Sequence, residues 1–503
     1  MGKLGTNTIS NIATKLWNMI SIYIFIPIYI KILGETSYGL VSFFATLQTT
    51  LNILGLGLSN TLRREFAVGK DTENNRVRKY KLLRSVETIY FAIGSVIVCI
   101  CICGSNLISE KWLNIETLDS DMVAIVISLM GISIALQLIA NLYAGCLLGL
   151  EYQVLANAIS IVWSAGKSIG SLLIVILIAP NLIIFYGWHI LTDVIYLVFL
   201  RKSVKIKLHL KSKVRWHIKD ISNMRNIWKY TCGILFISLI VLVNKQLDKV
   251  IISKFLTLTE LGAYNVATTL GSLSTIIPTA LYTTFFPRFT NYATTNNHLK
   301  LEDEFKRINK VAGLILSSMG AFIAIYALPL IQVWTKSYIY IDTLGGVASI
   351  VVLAVTISEY QEIPYALALA YGKTKYNVLV GGAFIPIVCL ATYFSVIRYG
   401  LLGAALVYLI VMTLQTLLYE FLIYKNFIKK NPMYLIFKDT VLPLIICVLA
   451  AVISKNITET ITSNPWLEIG IAIVSGAGTL LILVFIFARK DIRVLIKKGE
   501  ENK

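Results

Sequence analysis

VLVNKQLDKVIISKFLTLTELGAYNVATTL, residues 241–270, joins an apolar run that carries Lys245, Asp248 and Lys249 to a second apolar run. On insertion scales each such charge at a helix centre costs about 2.5–3.5 kcal/mol, so a membrane helix that keeps three has a use for them. The second run also has a counterpart upstream. GETSYGLVSFFATLQ (34–48) aligns with TLTELGAYNVATTLG (257–271), and Gly39 falls opposite Gly262 at an offset of 223. EYQVLANAI (151–159) aligns with TKYNVLVGG (374–382), where Val154-Leu155 meets Val378-Leu379 at an offset of 224. Two separate places sharing one offset point to two homologous halves.

The composition places both halves in a membrane. Of 503 residues 56% are hydrophobic and 15% charged, and mean hydropathy is +0.74, whereas soluble domains carry about 25% charge. Stretches near 9–33, 39–61, 85–108, 122–148, 155–178, 183–200, 230–253, 261–287, 310–332, 346–370, 377–397, 403–424, 439–455 and 467–488 read as spans. Most of them suit a ~30 Å hydrocarbon core, which takes about 20 residues. The fold expected is therefore an all-α polytopic membrane protein of about 14 transmembrane helices. It divides into an N-terminal six-helix lobe (1–200), a basic linker (201–229), a C-terminal six-helix lobe (230–424), and two extra helices with a basic tail (425–503). Six spans per half is an even number, so the repeats run parallel, an arrangement that in transporters puts the substrate site between the halves. The first apolar run is too long for a signal-peptide core and lacks a cleavage site, so it is expected to stay as a span.

Charge orients the chain. With a cytoplasmic N-terminus, 36 of the 46 Lys and Arg residues fall on the cytoplasmic side and 6 on the opposite side, which expects both termini in the cytoplasm. The segment 201–229 holds ten of them and one Asp; it serves as a topology signal or lies along anionic lipid. The net charge of +19 is spread between apolar runs without interleaved aromatics, which excludes a nucleic-acid partner. All seven cysteines lie within apolar runs, so neither a disulfide framework nor a metal cage is expected, and no cofactor is implied. No nucleophile elbow, phosphate loop or zinc-protease motif occurs, so the chain reads as a non-enzyme.

Polar residues inside spans are the candidates for function, because they face a bundle interior or a water-filled cavity. Asn7, Asn11, Lys15 and Asn18 make a helical stripe on the first span, and Asn157, Ser160, Ser164, Lys167 and Ser171 make one on the fifth. Lys15, Lys167 and Lys245 are the deeper cations, with Arg63, Arg64 and Arg288 at span ends, where they can also be plain anchors. Together they trace a cationic path suited to an anionic substrate. Asp248 is expected to pair with Lys245 or to titrate, and Glu359 and Glu362, three apart just before Pro364, are further coupling-ion candidates. His189 and Asp193, i and i+4, read as an interhelical hydrogen-bonding pair, and Lys249 as an outer anchor.

The two halves, the two extra spans and the stretches TNTISNIATKLWNMISIYIFIPIYIKILGETSYGLVSF (6–43), LDKVIISKFLTLTELGAYNVATTL (247–270) and IPTALYTTFFPRF (277–289) resemble the Wzx-type O-antigen and polysaccharide flippases. These belong to the multidrug/oligosaccharidyl-lipid/polysaccharide exporter superfamily. The resemblance covers essentially the whole chain. It implies translocation of undecaprenyl-pyrophosphate-linked oligosaccharide units across the bacterial cytoplasmic (inner) membrane by alternating access, for O-antigen or capsule synthesis. It implies a cationic cavity to which Lys15, Lys167, Lys245, Arg63, Arg64 and Arg288 are matched by position, with Asn11 and Asn18 beside them. It also implies membrane lipid around the prenyl tail, a proton or sodium coupling ion, and a polysaccharide polymerase as partner. A cell-wall lipid-precursor flippase and a multidrug exporter of the same superfamily are the alternatives.

Overall fold

A computed structural model describes residues 3–67, 72–208, 225–428 and 431–489. The central part of the expected basic linker and the basic tail beyond residue 489 lie outside these. In chain order the helices are α1 (Lys3–Leu33), α2 (Glu35–Ala67), α3 (Glu73–Cys103), α4 (Ser105–Leu107), α5 (Ser120–Gly149), α6 (Gln153–Leu177), α7 (Leu182–Leu208), α8 (Arg225–Phe255), α9 (Leu258–Gly271) and α10 (Ile276–Thr294). They continue as α11 (His298–Ile325), α12 (Ala327–Thr335), α13 (Tyr338–Leu344), α14 (Val347–Glu359), α15 (Glu362–Ala370), α16 (Lys375–Phe427), α17 (Pro432–Ile436), α18 (Leu442–Ile461) and α19 (Pro465–Leu483). The chain is an all-α polytopic membrane protein. Ten helical spans among the described residues are long and apolar enough to cross a membrane.

Helix occupies every stretch expected as a span, and local chemistry explains the breaks. A straight helix of 53 residues would run about 80 Å, so Lys375–Phe427 has to turn back. It does so at Gly400, whose φ of 56° and ψ of −136° lie outside the helical region and are open to glycine alone at little cost. A Cβ at Gly403 would stand 2.1 Å from the Ser395 carbonyl oxygen, which shows how tightly the two arms close. The expected span 346–370 divides into α14 and α15, because Pro364 lacks the N–H that the Tyr360 carbonyl would need. α9 opens with a capping box: the Glu260 carboxylate accepts from Thr257 N at 2.9 Å while Thr257 Oγ1 accepts from Glu260 N at 3.1 Å.

The contacts divide the chain into two units, one of residues 1–242 and 253–262, the other of residues 243–252 and 263–503. In the first unit α5 is the central helix. It packs on α2, α3 and α7 and is apolar on all sides, as a fully surrounded helix should be. Leu82, Val86, Tyr90, Leu138, Leu142 and Tyr143 form its core. Helices approach closely at glycines, as is usual between membrane helices: a Cβ at Gly149 would come within 2.5 Å of the Arg63 carbonyl oxygen. In the second unit α11 packs on α14, α18 and α19, and Phe289, Phe305, Ile308, Tyr419, Ile423 and Tyr424 fill a second core.

The sequence offset recurs in the helices. α1 and α8 end 222 residues apart, at Leu33 and Phe255. In the first unit Arg201 bridges Glu87 at 2.8 Å; in the second, Asn309 donates to Tyr424 at 2.9 Å. These pairs sit 222 and 223 residues apart, so the same inter-helix contact is charged in one unit and neutral in the other. Thr36 and Thr259, themselves 223 apart, share a hydrogen bond of 3.1 Å.

Candidate functional site

In the first unit the two predicted polar stripes face each other across the α1–α6 contact. Asn157 Nδ2 donates to Asn11 Oδ1 at 2.6 Å and Asn11 Nδ2 to Gln153 Oε1 at 3.2 Å. Higher up, Ser164 Oγ donates to Asn18 Oδ1 at 3.5 Å and Trp17 Nε1 to Ser164 Oγ at 3.3 Å. Asn11 and Asn18 are thus engaged between helices. Lys15 stands one turn from each and is exposed. Arg63 and Arg64 close α2, and both side chains are exposed.

Lys167 departs from the expectation of an open, substrate-facing cation. It is buried, with Nζ 3.4 Å from both oxygens of Asp193, and it stands over the rings of Trp163 (5.3 Å) and Phe44 (5.8 Å). Asp193 is fully buried and also accepts from Ser133 Oγ at 2.5 Å, Gln137 Nε2 at 2.9 Å and Trp163 Nε1 at 2.9 Å. Three neutral donors and a cation satisfy the carboxylate where water cannot. The expected His189–Asp193 pair is not formed. His189 lies instead among the rings of Phe44, Phe185 and Tyr186. Its Nδ1 is buried without a hydrogen-bond partner.

Glu87, an acidic residue that the sequence also places inside a span, is a second buried carboxylate in this unit, and its partners were not foreseen. Glu87 is held by Arg84 at 2.5 Å, Arg201 at 2.8 Å and Tyr143 Oη at 2.5 Å. The signal for the Asp193 site was present as Ser133 and Gln137, four apart in the apolar α5. Nothing in the sequence tied them to residues 26 to 60 positions away.

The second unit gathers Lys245, Asp248, Glu359 and Glu362. Asp248 does not take Lys245 as its partner. It is buried, accepts from Tyr264 Oη at 2.8 Å, and accepts from the Lys249 backbone N–H at 2.8 Å. Lys249 is no outer anchor either, since its Nζ donates to Asn265 Oδ1 at 3.2 Å. The reason is rotational: on α8 Lys245 points to an exposed face while Asp248 turns into the helix packing. A cavity of about 10 Å³ beside Asp248 is lined by Asn244, Thr392, Tyr408 and Met412 among others, close to the size of one water. Lys245 is exposed and acts electrostatically on both Glu359 and Glu362. Those two carboxylates stand on either side of the α14–α15 break, Glu359 buried and Glu362 half-buried. Arg288 is exposed over the Phe285 ring and reaches buried Glu304 at 3.5 Å.

Outside these sites the exposed surface is largely apolar. One groove of about 460 Å³ in the first unit is lined by Val162, Trp163, Trp188 and Phe199. Another of about 300 Å³ in the second unit is lined by Met319, Phe322, Ile473 and Gly476. Among the described residues no group of three or more His, Cys, Asp or Glu side chains is placed to hold a metal.

Residues 4–293 match the family described as polysaccharide biosynthesis proteins. A Shigella flexneri protein assigned as an O-antigen transporter is 25% identical over 403 residues, covering 78% of this chain and 90% of that one. Among solved structures, the lipid II flippase MurJ in an inward closed conformation superposes with a TM-score of 0.71 at 15% identity, over 97% of this chain and 99% of that one. An inward-facing multidrug resistance MATE transporter of the MOP superfamily gives 0.67 at 13% identity, over 84% and 95%. At such identities the likeness is one of fold. These relatives are transporters and flippases.

Proposed function

Since the chain belongs to the polysaccharide biosynthesis protein family, we propose that it is a flippase for undecaprenyl-pyrophosphate-linked oligosaccharide units, working by alternating access. The observation that carries this reading is the exposure of Lys15 on α1, a helix long and apolar enough to cross a membrane, and of Lys245 on α8. A lysine kept at membrane depth and open to solvent marks a watered path for an anion, and a pyrophosphate offers such an anion several acceptor oxygens. Arg63, Arg64 and Arg288, all exposed at helix ends, extend the same charge. Lys167 takes part through Asp193, holding the interior of its unit, and Asn11 and Asn18 fix the helix that presents Lys15.

The prenyl tail stays in lipid and follows an apolar groove, such as the one lined by Val162, Trp188 and Phe199. Asp248, with its small cavity, is the leading site for a coupling proton or sodium ion, and Glu359 and Glu362 are the next. The distribution of Lys and Arg supports insertion in the bacterial cytoplasmic (inner) membrane with both termini cytoplasmic. A polysaccharide polymerase would take the flipped unit, for O-antigen or for capsule.

The carboxylates and tyrosines of the second unit suit a cationic drug as well, so a multidrug exporter is the second reading. Deletion of the gene separates the two. Accumulation of lipid-linked oligosaccharide on the cytoplasmic face supports the flippase; normal surface glycan with altered drug tolerance rejects it. Proteoliposomes under imposed pH or sodium gradients identify the coupling ion.

A further inference from the structure

We infer that Tyr282, Phe286 and Tyr365 form a stacking site for sugar rings; this rests on the flippase reading above and adds the residues that meet the glycan. The argument starts from the exposed face of α10. Ala280, Thr283, Thr284, Pro287, Arg288, Asn291 and Thr294 are its exposed residues, and no large apolar side chain is among them. Elsewhere in this unit many exposed residues are large and apolar, such as Leu390, Ile473 and Leu481. A helix surface of small, polar and charged groups belongs in water.

Three aromatic rings line the edge of this polar face. Tyr282 and Phe286, one turn apart, lie parallel to within 3° with centroids 5.5 Å apart. Tyr365 comes from α15, and its ring is 6.2 Å from Tyr282 and inclined by only 12°. All three are half-buried. In the core of the same unit Phe289, Phe305 and Tyr424 are fully buried and meet edge to face, at 61° and 67°. Rings satisfy each other edge to face or offset-stacked; Tyr282, Phe286 and Tyr365 are left half-open besides, and the exposed part of their electron-rich faces is free for another group.

A pyranose fits such a site. Its axial C–H groups are weakly positive and pack on an aromatic face, and its hydroxyls need acceptors at the rim. Glu362 stands one helical turn before Tyr365, on the same side of α15. Thr283 and Thr284 donate their own hydroxyl protons to the Ala280 carbonyl at 2.9 and 2.8 Å. Their remaining lone pairs can therefore accept from sugar hydroxyls. Because rings grip by face and not by fixed hydrogen bonds, the site selects for a sugar ring and tolerates variation among sugars.

The test uses the full-length protein in nanodiscs and two probes, undecaprenyl pyrophosphate and the same lipid carrying a short N-acetylglucosamine-containing oligosaccharide. Wild type should bind the sugar-bearing lipid at least fivefold more tightly. Tyr282→Ala and Tyr365→Ala should erase that preference while holding sugar-free affinity within twofold, and Tyr282→Phe and Tyr365→Phe should keep it. A variant that fails to fold loses both lipids and is recognised by its melting curve; the Phe variants and Phe286→Ala then carry the test. If the alanine variants retain the preference, or wild type shows none, the stacking site is wrong and the flippase reading stands. If wild type binds neither lipid, the flippase reading itself falls.

Discussion

The Lys167 ammonium is held by Asp193 of α7 and lies over the Trp163 ring, while Ser133 and Gln137 of α5 hold Asp193 in turn. The consequence for stability is testable. Asp193→Asn leaves the Lys167 ammonium buried without a counter-charge, which costs about 3 kcal/mol. Lys167→Met costs less, because Asp193 keeps three neutral donors. The double variant should recover part of the Asp193→Asn loss, which unfolding in detergent will read; losses that simply add would show the pair uncoupled. Lys15 and Lys245 behave in the opposite way. Both are exposed, so alanine there should move stability by no more than about 0.5 kcal/mol. Each removes a charge-assisted contact worth about 1.5–3 kcal/mol, and surface glycan from a complemented deletion strain should fall roughly tenfold or more. Full complementation by both would reject them as substrate contacts.

At the scale of helices, the spans were legible because an apolar run of fixed length is a physical requirement of the bilayer. The joints were less so. Span 346–370 reads as one helix until Pro364 removes the bond to Tyr360, and that break is what separates the surroundings of Glu359 from those of Glu362. Pro364→Ala restores the missing N–H and should join α14 to α15. Melting temperature should hold or rise while transport falls; a variant as active as wild type would make the break incidental. Gly39 sets another joint. A Cβ there would lie 2.0 Å from the Leu258 carbonyl oxygen, which no side-chain adjustment can relieve. Gly39→Ala should therefore push the starts of α2 and α9 apart and cost about 1–3 kcal/mol, seen as a lower melting temperature. An unchanged melting temperature would mean that the contact is not closed in solution.

For the whole molecule, the repeat and the charge asymmetry come from different constraints. The 222–223-residue shift holds where a contact has changed its chemistry, as between Arg201–Glu87 and Tyr424–Asn309, so backbone placement has outlasted side-chain identity. That is why a short match such as Gly39 with Gly262 revealed the halves, while the Asp193 and Glu87 clusters, charged in one half alone, stayed hidden. Orientation rests on charge, which insertion reads directly. With 36 Lys and Arg residues on the cytoplasmic side of the expected topology and 6 on the other, a C-terminal green fluorescent protein fusion should fluoresce, since it folds only in the cytoplasm, and a C-terminal alkaline phosphatase fusion should be inactive. Cysteines placed at Lys336 and Lys455, on the opposite side in this scheme, should react with a membrane-impermeant maleimide in intact cells. A cysteine at Lys373 should react only after permeabilisation. The reverse labelling pattern would invert the protein, and would then place Lys15 and Arg288 at the mouth where a cytoplasmic substrate leaves and not where it enters.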